Sequence, residues 1–251
     1  MADKRITLFA NGCSHTAGSE IDFVCQDHKY EGAWPKWLAE DLGWDWVNIA
    51  RPGACNEAIR RTTIEWVIKN VELNNTYSPA NLVVVLMWSG FNRSEIWSDH
   101  EQQLISVSGH ADLSRELPEL REYIKYKTMV DIEPVLQYRN LFDVYLTAKY
   151  LEGLGIKYYF FNAFDIWPAP EKITHPNLAK SYKVIYDAYG IDRITRHSAF
   201  NNSSERFWEY MRTNKIPVAP HARWSHYDET GHKFWKEYVK SWITKVDALT
   251  Q

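Results

Sequence analysis

A chain of 251 residues, 45% of them hydrophobic, can bury the core of one large α/β domain or two small ones. Its net charge of −3 leaves no basic footprint for nucleic acid, and it contains no run of about 18 apolar residues to span a membrane. The three cysteines, Cys13, Cys25 and Cys55, exclude a disulfide framework; Cys25 and His28 have metal-ligand spacing but no second pair, so neither a metal nor an organic cofactor is expected.

The first element is a strand over residues 5–11, ending in the turn Gly12-Cys13-Ser14-His15 with Gly18 beyond it. Met1 to Arg5 lead straight into that strand without the apolar stretch of a signal peptide, so a cytoplasmic location is expected. A helix over 34–43 follows, with Pro35 in its first turn and Gly43 at its end. Residues 46–50 form a short second strand, Arg51-Pro52-Gly53-Ala54 a turn, and Asn56 opens a helix to about Leu73. The apolar run from Asn81 to Trp88 marks a central parallel strand covered on both faces.

Residues 94–133 are charged and irregular and are expected to be an insertion over the carboxyl edge of the sheet, with a short helix at 115–125. A long helix is predicted for 134–154 and a strand for 156–161. Residues 166–220 have weak periodicity and are expected to form helices and loops near the site, and 228–249 form a last amphipathic helix. Alternating strands and helices predict one domain built on a right-handed, doubly wound parallel sheet. Twelve tryptophans and fifteen tyrosines exceed what a core needs, so some are expected to line a groove.

Three strand ends thus present polar or glycine turns on one sheet edge: Ser14, Gly53, and Gly90-Phe91-Asn92. His226 comes late, before Gly231-His232 and the final helix. Acyl transfer uses these residue types: a serine attacks, a histidine takes its proton, and N–H donors hold the developing oxyanion. The backbone N–H groups of Ser14 and Gly53 and the Asn92 amide are the candidate donors.

In that order the blocks resemble the SGNH (GDSL-like) hydrolase family. Gly12 to Gly18 is similar to its first block, Asn48 to Asn56 with Gly53 to its second, Gly90-Phe91-Asn92 to its third, and His226 to His232 to its last. The compact form looks like members from phage and environmental sequences, which implies a phage-encoded origin. The resemblance implies a three-layer α/β/α sandwich of flavodoxin-like type. It also implies hydrolysis of acyl or acetyl esters of carbohydrates or lipids, with Ser14 as nucleophile, Gly53 and Asn92 as oxyanion donors and His226 as base. The partner is then a small-molecule or glycan ester. His15, Arg93 and Trp224 are the candidate substrate contacts.

Two positions depart from the family pattern. Cys13 stands where aspartate is usual, with a rival role as nucleophile. Arg223 stands where the triad aspartate is expected, and a cation there does not stabilise an imidazolium. A Ser14–His226 dyad, a substitute carboxylate from Asp228 or Asp165, or a non-catalytic carbohydrate- or ligand-binding protein would each accommodate it. Asp228 also fits as the N-cap of the last helix, and transfer to another acceptor shares the acyl-enzyme with hydrolysis. His232 is expected to pack at the helix start, His221 is a second candidate base, and Arg93 with Glu95 is expected to form a pair.

Overall fold

A computed structural model describes residues 5–21, 31–98, 102–108, 133–164, 167–197, 203–220, 222 and 226–249. Strand β1 (Thr7–Gly12) leads into a single helical turn, α1 (Ser14–Ala17). Helix α2 (Trp34–Leu42) starts with proline in its first turn and stops at Gly43, which takes the left-handed conformation (φ 68°). Then come β2 (Asp45–Asn48) and α3 (Asn56–Val67). The expected single helix from Asn56 to Leu73 changes hand-hold midway: Ile68–Leu73 continue with wider, π-type turns. Strand β3 (Leu82–Trp88) is buried along its whole length.

The segment expected as an irregular insertion begins instead with a hairpin. Strands β4 (Arg93–Ser98) and β5 (Gln103–Ser108) pair antiparallel, with Trp97 opposite Leu104. The helix expected at 115–125 lies outside the described residues. Helix α4 (Glu133–Gly153), strand β6 (Lys157–Asn162) and helix α5 (Pro176–Thr195) follow; α5 carries a break at Gly190 (φ 72°). The helices expected within 166–220 are the 20-residue α5 and the shorter α6 (Phe207–Thr213). The chain closes on α7 (Glu229–Leu249).

The main sheet is parallel, in the order β2-β1-β3-β6. A one-residue parallel bridge between Phe160 and His197 extends it beyond β6. Successive side chains on a strand point to opposite faces. On β3, Leu82, Val84, Leu86 and Trp88 enter one apolar cluster, with residues of α3, α4 and α5. Val83, Val85 and Met87 enter a second, with residues of α2, α6 and α7. This is an α/β fold whose sheet is covered on both sides, as a near-continuous apolar strand requires. Much of the aromatic excess is core: Trp34, Trp88, Trp167 and Trp235 are each under 2% exposed, whereas Trp97 on the hairpin is 55% exposed. No described helix is long and apolar enough to cross a membrane.

Candidate active site

The site is built where β1, β2 and β3 end. Gly12 is required by packing: a Cβ there would come within 2.3 Å of Thr16 Oγ1 and 2.9 Å of the Met87 carbonyl oxygen. Asn11 fixes the same turn. Its Oδ1 accepts from Gly12 N–H at 2.8 Å, and the two hydrogens of its Nδ2 are shared among Ile59 O, Thr62 Oγ1 and Thr63 Oγ1 on α3. Cys13 is the N-cap of α1, fully buried, and its carbonyl accepts from the N–H groups of Thr16 and Ala17. Ser14 is therefore the first helical residue after the strand, 6% exposed, held by backbone on both sides.

The second turn is tied to the first. Arg51 N–H donates to Gly12 O at 3.1 Å, and Asn48 Nδ2 donates to Thr16 O at 2.8 Å. Gly53 lies in that turn at φ 77°, a conformation that a side chain strains. The third turn is gripped by Asn56, whose Oδ1 accepts from Ser89 N–H at 2.6 Å while its Nδ2 donates to Ser89 O and Asn140 Oδ1. Asn92 stands beyond this turn with its side chain exposed. The structure thus brings Ser14, Gly53 and Asn92 to one edge of the sheet. Asn11, Asn48 and Asn56, which hold the turns together, were not singled out from the sequence.

His226 closes the site from the other end of the chain. It is 7% exposed, its ring centroid lies 4.9 Å from that of His15, and its Nδ1 lies 2.6 Å from Glu20 Oε2. A carboxylate only accepts, so Nδ1 carries the proton and donates, leaving the Nε2 lone pair available. Glu20 sits in the left-handed region (φ 61°), two residues past Gly18, the left-handed cap of α1. A non-glycine residue held there costs of order 1 kcal/mol and marks a position the surroundings enforce.

The carboxylate that meets His226 is Glu20 and not the expected Asp228. Asp228 Oδ1 accepts from Gly231 N–H at 3.0 Å, and its carbonyl accepts from His232 N–H, so this carboxylate caps α7. Gly231 has no room for a side chain, since a Cβ would meet Tyr227 Cβ at 2.6 Å. His232 is buried, and its Nδ1 accepts from Trp34 N–H at the start of α2; burial pushes its pKa down to about 3.

His15 is also corrected. It is 2% exposed, packed among Phe164, Phe207 and His226, and so cannot make the substrate contact expected of it. Burial, with the charges of His226, His232 and Arg93 added, holds its pKa well below the ordinary histidine value, so it is a neutral wedge against the His226 ring. Arg93 does not pair with Glu95. Its Nη1 donates to Ser89 Oγ at 3.0 Å and Ala54 O at 3.4 Å, and its guanidinium lies 5.5 Å from the Phe164 ring centre. Glu95 is taken by Arg61 at 2.6 Å. Cys55 caps α3, and burial raises its thiol to about 11. Trp224, Arg223, His221, Asp165, Cys25 and His28 lie outside the described residues. Among the described residues no group of three or more His, Cys, Asp and Glu side chains could hold a metal ion.

No curated protein matches the sequence. Among solved structures, TesA is similar over 96% of this chain and 99% of its own, at 13% identity and a TM-score of 0.49. A catalytic mutant of an acetylxylan esterase from Geobacillus stearothermophilus is similar over 95% and 94%, at 10% identity and 0.47. A carbohydrate esterase whose active site is described as having divergent catalytic and non-catalytic binding functions is similar over 97% of this chain and 70% of its own, at 11% identity and 0.47. Likeness at this level adds no weight to the chemistry of the site. A sequence profile matches residues 18–250, which include Glu20, Gly53, Asn92 and His226, and by that match the chain belongs to a family of unknown function, DUF6071.

Proposed function

We propose that this chain is a serine ester hydrolase of SGNH type, a single three-layer α/β/α domain acting on a small-molecule or glycan ester. The observation that carries the reading is the 2.6 Å contact between Glu20 and a nearly buried His226 packed against the neighbour of Ser14. A carboxylate on Nδ1 fixes the ring tautomer and stabilises the imidazolium that forms when Nε2 accepts a proton. It supplies what Arg223 does not, and so weakens the sequence-based motive for a non-catalytic binder.

The steps follow. Ser14 Oγ attacks the ester carbonyl carbon while His226 Nε2 takes the hydroxyl proton. The carbonyl oxygen becomes an oxyanion, to which the backbone N–H groups of Ser14 and Gly53 and the Asn92 amide donate. Collapse breaks the bond to the alcohol oxygen, which leaves with the proton from His226. Water, deprotonated by the same ring, then releases the acid and restores Ser14. Catalysis comes mainly from donors fixed before the charge develops.

Hydrolysis of 4-nitrophenyl acetate by the wild type and by Ser14→Ala tests this. The serine mechanism predicts a fall in kcat of about 10⁴-fold or more. Equal rates in the two proteins would dismiss it.

A further inference from the structure

Arg93 stands at this edge with no part in the ester hydrolysis proposed above. It directly follows Asn92, lies half-buried, and touches the carbonyl of Ala54, the residue after Gly53. Several, though not all, other arginines of the described fold meet carboxylates: Arg60 with Asp143, Arg61 with Glu95 and Glu65, Arg193 with Glu152, and Arg212 with Glu209. Among the described residues, Arg93 meets only a hydroxyl, a carbonyl and an aromatic face.

The carboxylate nearest in sequence is engaged elsewhere. Glu95, two residues along the same strand, is held at 2.6 Å by Arg61, and Glu57 Oε2 accepts from the Glu95 backbone N–H at 2.7 Å. Both bonds of Arg93 leave from Nη1, so among the described residues no acceptor meets Nε or Nη2. Those two N–H groups form the edge that matches the two oxygens of a carboxylate. A half-buried cation anchored through Nη1, with no described acceptor on its other edge, is placed for an anion brought by the ligand.

We infer that the ester this site takes carries a carboxylate, and that Arg93 receives it through its Nε–Nη2 edge. The inference rests on the hydrolase reading for its location, but its test is separate. Ester pairs differing only in that charge are compared. On the alcohol side these are 3- and 4-acetoxybenzoate against their methyl esters. On the acyl side they are the phenyl monoester of glutaric acid against phenyl pentanoate.

The wild type is expected to favour the carboxylate member of at least one pair by about tenfold or more in kcat/KM, a size typical of a charge-assisted hydrogen-bonded pair. Arg93→Gln should bring that ratio close to one, and Arg93→Lys, which keeps the charge without the fork, should fall between. No preference in either pair, or one that survives Arg93→Gln, overturns the inference.

Binding without turnover separates the two readings. The acetoxybenzoates and their methyl esters, and likewise the phenyl glutarate monoester and phenyl pentanoate, are titrated into Ser14→Ala, with and without Arg93→Gln, and followed by tryptophan fluorescence. A carboxylate preference in binding that Arg93→Gln abolishes supports this inference whether or not the wild type hydrolyses the esters, and a wild type that hydrolyses none of them contradicts the hydrolase alone. Hydrolysis without any such preference supports the hydrolase and contradicts this inference.

Discussion

Two buried histidines flank the carboxyl end of this sheet, and they are wired oppositely. His197 lies beside β6: its Nε2 faces Asn162 Oδ1 at 2.8 Å and its Nδ1 faces the Tyr189 hydroxyl at 3.0 Å. An amide oxygen only accepts, so Nε2 carries the proton and Nδ1 accepts from the phenol. Both ring nitrogens are used, both partners are neutral, and burial pushes the pKa down to about 3. His226 has the other tautomer. Its Nδ1 faces the Glu20 carboxylate at 2.6 Å, and among the described residues no such bond engages its Nε2. One ring is closed and held neutral; the other has a charge-stabilising partner behind it and a lone pair in front. Burial among neutral partners suits a histidine to a structural role, and a carboxylate on the far nitrogen suits His226 to the base proposed above.

That contrast can be broken at several points. The largest effect is expected for His226→Ala, which removes the base: kcat for 4-nitrophenyl acetate should drop by about 10⁴-fold or more, with the thermal midpoint nearly kept. A variant that retains most of its activity would place the base elsewhere. Asn92→Ala comes next. Its side chain is exposed and makes no bond in the described fold, so its loss should leave stability alone and cost about 10²–10³ in kcat, the size typical of one oxyanion donor. A change in KM alone would make Asn92 a turn residue.

His197→Gln is expected to do the opposite, leaving kcat within a few-fold and lowering stability by about 1–3 kcal/mol, because Tyr189 and Asn162 lose well-placed partners. It should also alter the pH dependence of folding. A histidine whose pKa falls from 6.5 to about 3 on folding binds its proton only when unfolded between those values. Its contribution is complete above pH 6.5 and is lost as the pH falls toward 3. His232 acts in the same direction and window. The wild-type melting temperature should therefore decline below pH 6.5, and less steeply in His197→Gln; parallel slopes would contradict this wiring.

Most of the fold is legible in the sequence because parallel strands buried on both faces are written as apolar runs, as in Leu82 to Trp88 and Tyr158 to Phe161. The β4–β5 hairpin is not. Arg93-Ser94-Glu95-Ile96-Trp97-Ser98 puts charges, hydroxyls and one exposed tryptophan on a two-stranded ribbon, so no clean alternation forms. The strand-end blocks are legible because backbone geometry demands glycine there: Gly12 by contact with Thr16, Gly53 by its positive φ. Glu20 is not legible because nothing local requires a carboxylate. It acquires its role only when α7 brings His226 back across 206 residues of chain. The one local sign was position: Glu20 is the first acidic residue after Ser14, just past the glycine that ends α1.

The central claim is that Glu20, through His226, activates Ser14. The most direct measurement is the rate at which a fluorophosphonate labels the protein, with the modified peptide identified by mass spectrometry, in the wild type and in Glu20→Gln. The account predicts labelling at Ser14 and a rate lower by about 10³–10⁴ when the carboxylate becomes an amide. Equal rates in the two proteins, or a label on any residue other than Ser14, would contradict it.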